Sequence, residues 1–433
     1  MKIAVWYNLP PGGSKRALYY HVQELVARGH EVRSWCPSSS DREYLPLHEL
    51  CPERVVPLEW TSRPSRSRLQ QLVAEARNVS THMRAMQRAC REATAAIEAQ
   101  KFDLLFANTC RTYAAPFITR YVELPKVLYL AEPNRLLYEA SPSLVWSARS
   151  PGRDDSLRYR AFRALRDELI LHQLRIQVRE ERRNALASDR ILVNSYFSVE
   201  SVRRAYGLDA HVCYLGVDTR LFRDLGTPRD RFIVGLGDLA PRKGVRFAVE
   251  AVGRLGRPRP KLCWVGTCSD PLYLREVTRA AERLGVDLEI RLSLSDRDLV
   301  DVLNRAALLL YTSYLEPFGL APLEANACGT PVVAVAEGGV RETVRSGVNG
   351  FLVDRDPDVV ADAIDRIWSD PELGRRLGRS ARDYIDAHWD LKSSIDRLEM
   401  HLECIRHGRR GRLMVDADAD DPERSRTREA VER

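Results

Sequence analysis

The chain has 433 residues, enough for two or three domains with their own cores. With 44% apolar and 29% charged residues, its composition is neither that of a disordered chain nor that of a membrane-embedded one. The net charge of +7 is unevenly placed: residues 1–215 carry 32 Lys and Arg against 23 Asp and Glu, a net of +9, and the remainder carries 35 against 37, a net of −2.

In chain order, apolar runs of strand length alternate with helical periodicity. Strands are expected at 2–7, 103–107, 126–131, 190–194 and 211–215, then at 232–236, 261–265, 287–292, 308–311, 331–335 and 350–353. Helices are expected at 16–28, 68–99, 159–187, 245–255, 272–284, 296–306, 372–387 and 391–405. Repeated strand–helix units imply parallel sheets with helices on both faces, and two such series imply two doubly wound domains. Residues 216–230 have loop composition and mark the junction. The expected organisation is a first domain at 1–215 and a second at 216–387. A C-terminal helix at 388–407 would pack back on the first domain, ahead of a disordered tail at 408–433. The strand-like start leaves no room for a signal-peptide core, and no run reaches the ~20 apolar residues of a membrane helix. Nine scattered cysteines without a Cys-x-x-Cys pair read as reduced thiols in the cytoplasm, not as a zinc site.

Two patterns mislead. Gly235-Leu236-Gly237-Asp238-Leu239-Ala240 fits a dinucleotide fingerprint, but the next strand, ending Trp264-Val265-Gly266-Thr267, lacks the acid that would hold a ribose. The glycines still mark a tight turn where backbone can approach a phosphate. Asp-x-Asp pairs, which hold a divalent metal against a diphosphate in other transferases, occur at 296/298, 354/356, 416/418 and 418/420. Asp296 suits a helix N-cap, Asp354–Pro357 leads into another helix, and the rest lie in the tail, so no metal is expected.

The informative segment runs from Glu316-Pro317-Phe318-Gly319-Leu320 to Glu324-Ala325 and on to Gly329-Thr330-Pro331-Val332. Glu316 precedes a helix and Glu324 follows about two turns later, so both carboxylates can face one cleft. Carboxylates hold ligand hydroxyls through charge-assisted hydrogen bonds, and the helix N-terminus between them attracts an anion. A polyol joined to a phosphate, as in a nucleotide sugar, suits both.

This stretch resembles the retaining glycosyltransferases of family 4, which have the GT-B architecture and carry a Glu-x7-Glu motif in the same frame. The resemblance extends along nearly the whole folded chain. It includes Pro11-Gly12-Gly13-Ser14, Glu24–Val32, Asn194–Ser198, Leu215–Asp218, Gly237–Gly244, Gly338–Glu342 and Gly347–Val353. The resemblance implies two Rossmann-like domains facing a central cleft, with the acceptor held by the first and the nucleotide sugar by the second. It implies that Lys243 binds the donor diphosphate, Glu324 the ribose and Glu316 the sugar hydroxyls. Gly12, Gly13 and Phe318, Gly319, Leu320 would cradle phosphate and sugar, and Leu292 would meet the nucleobase.

Two positions depart from the family. Asp238 stands where many members have Arg, so Arg242 is expected to supply the second phosphate clamp. Ala131 stands where many have His before Glu-Pro, so Glu132, Asn134 or Arg135 is expected to reach the sugar or acceptor. GDP-mannose is the first donor choice, on the Glu-Pro-x-Arg word, and UDP-glucose the second. The acceptor is a glycan, a lipid-linked group or a small molecule. Mixed charges in 149–183 fit a solvated helix face, while the basic first half also fits an anionic acceptor or peripheral contact with the inner face of a membrane. No nucleic-acid-binding motif occurs. A GT-B sugar phosphorylase, a sucrose-phosphate-type synthase and a non-catalytic nucleotide-sugar-binding module are the alternatives.

Overall fold

The computed structural model describes residues 1–60, 68–139, 157–267 and 270–408; the expected tail beyond 408 lies outside them. Seven strands form the first sheet: β1 (Lys2–Asn8), β2 (Glu31–Pro37), β3 (Glu53–Val56), β4 (Leu104–Cys110), β5 (Lys126–Tyr129), β6 (Arg190–Val193) and β7 (His211–Val212). Six form the second: β8 (Phe232–Leu236), β9 (Lys261–Gly266), β10 (Leu288–Leu292), β11 (Leu308–Tyr311), β12 (Val332–Val335) and β13 (Gly350–Val353). Each expected strand is present within a few residues. Every pairing is parallel, with orders β3-β2-β1-β4-β5-β6-β7 and β10-β9-β8-β11-β12-β13. The molecule is two doubly wound Rossmann-like domains. In each, order reverses beside the first strand, opening a crevice at the carboxyl ends between β1 and β4 and between β8 and β11.

Sequence explains the central strands. Ile3–Tyr7 and Leu308–Tyr311 are buried throughout, as strands covered on both faces must be. Strands β2 and β3 were not expected. Glu31 and Arg33 interrupt the apolar pattern of β2, and only its second half, Ser34–Pro37, is wholly buried.

The expected junction contains a close crossing. Val217 bridges Asp390, and a Cβ on Gly216 would stand 2.5 Å from the Asp390 carbonyl oxygen, so only glycine fits. From there the helix Leu391–Arg406 lies on the first domain. Arg28 and His30 each reach Glu399 at 2.7 Å, and Ser394 donates to the Tyr214 carbonyl at 2.8 Å. The family words Asn194–Ser198 and Gly338–Glu342 also meet across the domains. Glu342 accepts from the amides of Tyr196 and Phe197 at 2.9 and 3.0 Å, a carboxylate at a helix N-terminus. Among the described residues no helix is long and apolar enough to cross a membrane. Eight cysteines are free and buried; Cys268 lies outside the described residues.

Candidate active site

The carboxyl ends of the two sheets face one another across a cleft of about 280 Å³. Its first-domain wall comes from the helix Gly13–Ala27 and the ends of β4 and β5. Its second-domain wall comes from the loops after β8 and β9 and from the segment Glu316–Ala321. Gly12 and Gly13 lie in the lining, and a Cβ on Gly13 would touch Leu320 of the opposite domain at 3.5 Å. Phe318, Gly319 and Leu320 line it too. Gly319, at φ 109, starts the helix Leu320–Ala327 without a side-chain cap, leaving its first amides free of side-chain partners.

Lys243 and Glu316 form an ion pair at 2.8 Å in this cleft. Burial raises the Glu316 carboxyl, but the charges of Lys243 and Arg135 outweigh it and bring it to about 2. Lys243 reaches the pair because Gly237 has no side chain: the Lys243 stem packs 3.1–3.4 Å from where a Cβ would stand. The loop bearing Glu316 rests on Gly338 and Gly339, and the Gly339 amide donates to the Glu316 carbonyl at 2.7 Å. Glu324 faces the same space, buried, with its carboxyl raised by burial against the pull of Arg16.

Four expectations meet a different arrangement in the structure. Arg242 lies outside the lining and pairs with Asp238 at 3.2 Å, although its charge still acts on Glu316 and Glu132. Leu292 is also outside the lining, 43% exposed at the end of β10. Ser293, at φ 55, turns the chain, and Leu294 enters the lining instead. Asn134 turns to Glu181, and Arg135 ties Glu132, at 3.1 Å, to the carbonyls of Tyr314 and Leu315 in the second domain. Of the three candidates after β5, only Glu132 lines the cleft. Burial raises its carboxyl to about 7 against the pull of Arg135, helped by the Glu316 charge. Finally, Asp296 is no cap. Ser295 caps the helix Asp296–Arg305, while Asp296 takes both terminal nitrogens of Arg16, one at 3.1 Å.

Sequence reasoning missed Arg16. Its side chain is 9% exposed and lies between Asp296 and Glu324, 3.7 Å from the latter. Its position one turn into the first helix, just after the Gly12-Gly13 loop, was the available signal. It missed His21 as well, which sits deeper on that helix and lines the cleft. The described lining holds two cations, Arg16 and Lys243, and five carboxylates: Glu132, Asp238, Asp296, Glu316 and Glu324.

Two family models divide the chain between them. The glycosyltransferase family 4 model matches residues 11–221 and the glycosyl transferases group 1 model matches 218–384. The chain belongs to glycosyltransferase family 4. A D-inositol 3-phosphate glycosyltransferase of Catenulispora acidiphila is 31% identical over 250 residues, 52% of this chain and 60% of that protein. One from Streptomyces bingchenggensis is 32% identical, over 52% of this chain and 55% of that protein. The matched stretch thus spans less than two thirds of the length of these curated relatives. Sucrose-phosphate synthase from Thermosynechococcus elongatus shares the fold with a TM-score of 0.69 at 19% identity, over 94% of this chain and all of that one. Anabaena HepE in complex with UDP-glucose does so at 0.64 and 20%, over 93% of this chain and all of that one. Glu316, Glu324 and Lys243 thus stand in one cleft between two GT-B domains.

Proposed function

We propose that this family 4 chain moves a hexose from a nucleoside diphosphate sugar to an acceptor hydroxyl with retained configuration. The observation that carries the reading is the Lys243–Glu316 pair beside the uncapped N-terminus at Leu320, with Glu324 about one turn into that helix. Each partner of that pair has a second use. The Lys243 ammonium and the helix amides meet the diphosphate, and Glu316, freed from Lys243, accepts hydrogen bonds from sugar hydroxyls. Glu324 takes the ribose hydroxyls. The C1–O bond to the diphosphate breaks, the acceptor oxygen bonds to C1 on the same face, and its proton passes to the leaving phosphate oxygen. Neither glutamate is the nucleophile, and in this reading Lys243 and the helix dipole, without a metal, meet the developing charge. Products of this kind serve glycan, polysaccharide or glycolipid synthesis, at a cytoplasmic site or at the inner face of a membrane.

A thermal-shift panel of UDP, GDP, UDP-glucose and GDP-mannose tests the donor half. The UDP-glucose held by the HepE neighbour supports the first sugar, and the Glu132-Pro133-Asn134-Arg135 word supports the second. A ligand at 100 times its Kd adds about 2.7 kcal/mol, a rise of roughly 5 °C for domains of this size. If none of the four shifts the melt, the reading fails.

Glu132 gives this affinity a pH dependence. Its carboxyl titrates at about 7, so it gains charge as pH rises from 6 to 8. A further carboxylate beside Glu316 opposes an anionic donor. UDP-glucose, whose diphosphate ionises well below this range, is expected to bind several-fold more weakly at pH 8 than at pH 6. Titration calorimetry on Glu132→Gln is expected to show a flat profile.

A further inference from the structure

We propose that His21 and Asn108 form a hydroxyl-binding subsite on the first-domain floor of the cleft, made for an uncharged polyol. The proposal rests on the transferase reading above, in which this polyol is the acceptor.

His21 is 1% exposed, and neither of its ring nitrogens has a hydrogen-bond partner. Asn108, at the end of β4, is 4% exposed, and its Nδ2 has none. Both residues line the cleft. One comes from a helix and the other from the sheet, and both neighbour Tyr129. Asn108 stands opposite Tyr129 in the β4–β5 register, and the His21 ring meets the Tyr129 ring edge-on with centroids 5.2 Å apart. Tyr129 does not serve them, because its hydroxyl donates to the Cys213 carbonyl at 2.9 Å.

Buried polar groups in native proteins are almost always paired, so two that are unpaired and belong to the lining of one cleft call for a ligand group. Their chemistry defines it. Burial lowers the His21 ring to about 4, so at neutral pH it carries one bare nitrogen and one N–H. The Asn108 amide is a donor. A hydroxyl serves both at once, donating to the bare nitrogen and accepting from the amide. A phosphate can only accept, and it would enter among five carboxylates while both cations of the described lining, Arg16 and Lys243, are already held by carboxylates. Arg16 is the one Lys or Arg that the first half supplies to the described lining, and Asp296 already holds it.

The test uses the full chain with UDP present, titrated with myo-inositol, D-mannose, and the monophosphate of each, for the wild type and for His21→Leu and Asn108→Leu. At least one neutral polyol is expected to bind the wild type tenfold or more tighter than its monophosphate, and to weaken tenfold or more in either variant. The unliganded variants are expected to melt no lower than the wild type, since each exchanges an unpaired polar group for an apolar one on a buried face. Three results overturn the proposal: no neutral polyol binds the wild type, polyol affinity survives both substitutions, or the unliganded variants melt several degrees lower, showing that the fold already satisfies these groups. The nucleotide panel is read separately. A melt that none of its four ligands shifts defeats the transferase reading, and the polyol titrations repeated without UDP still report on the subsite.

Discussion

Glu316→Gln is expected to lower kcat/KM for transfer by about 10²- to 10³-fold, the range for loss of one preorganised electrostatic contact. Gln is the sharper substitution because it keeps volume and hydrogen-bonding shape while removing the charge. That charge is present at every working pH, with the carboxyl held at about 2. The pair's stability contribution is therefore complete above the ordinary carboxylate range and is lost only as pH falls from about 4.5 toward 2. Glu316→Gln should accordingly flatten the acid limb of the stability curve. Lys243→Met provides the cross-check. Groups 2.8 Å apart couple, so the double variant should lose much less than the two single losses combined. A single variant within tenfold of the wild type would remove Glu316 from the sugar site.

Some of this site could be read in the chain and some could not, for a physical reason. Glu316, Glu324 and the helix between them are local: their spacing fixes their relation, and the structure sets both in one cleft. The Gly235–Gly237 turn was legible because tight turns need glycine, though its use, giving room to the Lys243 stem, was not. Contacts between domains leave no local pattern. Arg16 and Asp296 are 280 residues apart, and Asp296 before an apolar helix reads as a cap. Arg242 is a different case, since its partner is local. From sequence it is the cation nearest to Asp238, yet the turn between them folds the two side chains into a pair at 3.2 Å. His21 was hidden differently, as one polar residue on the apolar face of a helix, notable only once its nitrogens prove unpaired.

Gly339→Ala is expected to inactivate the chain although Gly339 itself lies outside the cleft lining. Gly339 has φ −76, a conformation any residue adopts, so backbone strain plays no part. The obstacle is contact. An alanine Cβ would lie 2.0 Å from the Pro317 carbonyl oxygen, 2.6 Å from its carbon and 3.0 Å from the Phe318 Cα, all backbone atoms that no rotamer change can move. Something must shift, and the segment in the way is the loop that carries Glu316 and begins the Leu320–Ala327 helix. Overpacking of this kind costs about 3 kcal/mol, and a displacement near 1 Å at a reacting geometry costs about 10²-fold in rate. Gly347→Ala isolates the other effect of glycine. It has φ 81 and nothing within 4 Å of its virtual Cβ, so only the left-handed conformational penalty applies, about 1 kcal/mol. Thermal melts and turnover of the two variants should therefore separate, with Gly347→Ala slightly less stable and active, and Gly339→Ala much less stable and at least 100-fold slower. Equal activity in both would mean that the Glu316 loop yields without moving its carboxylate.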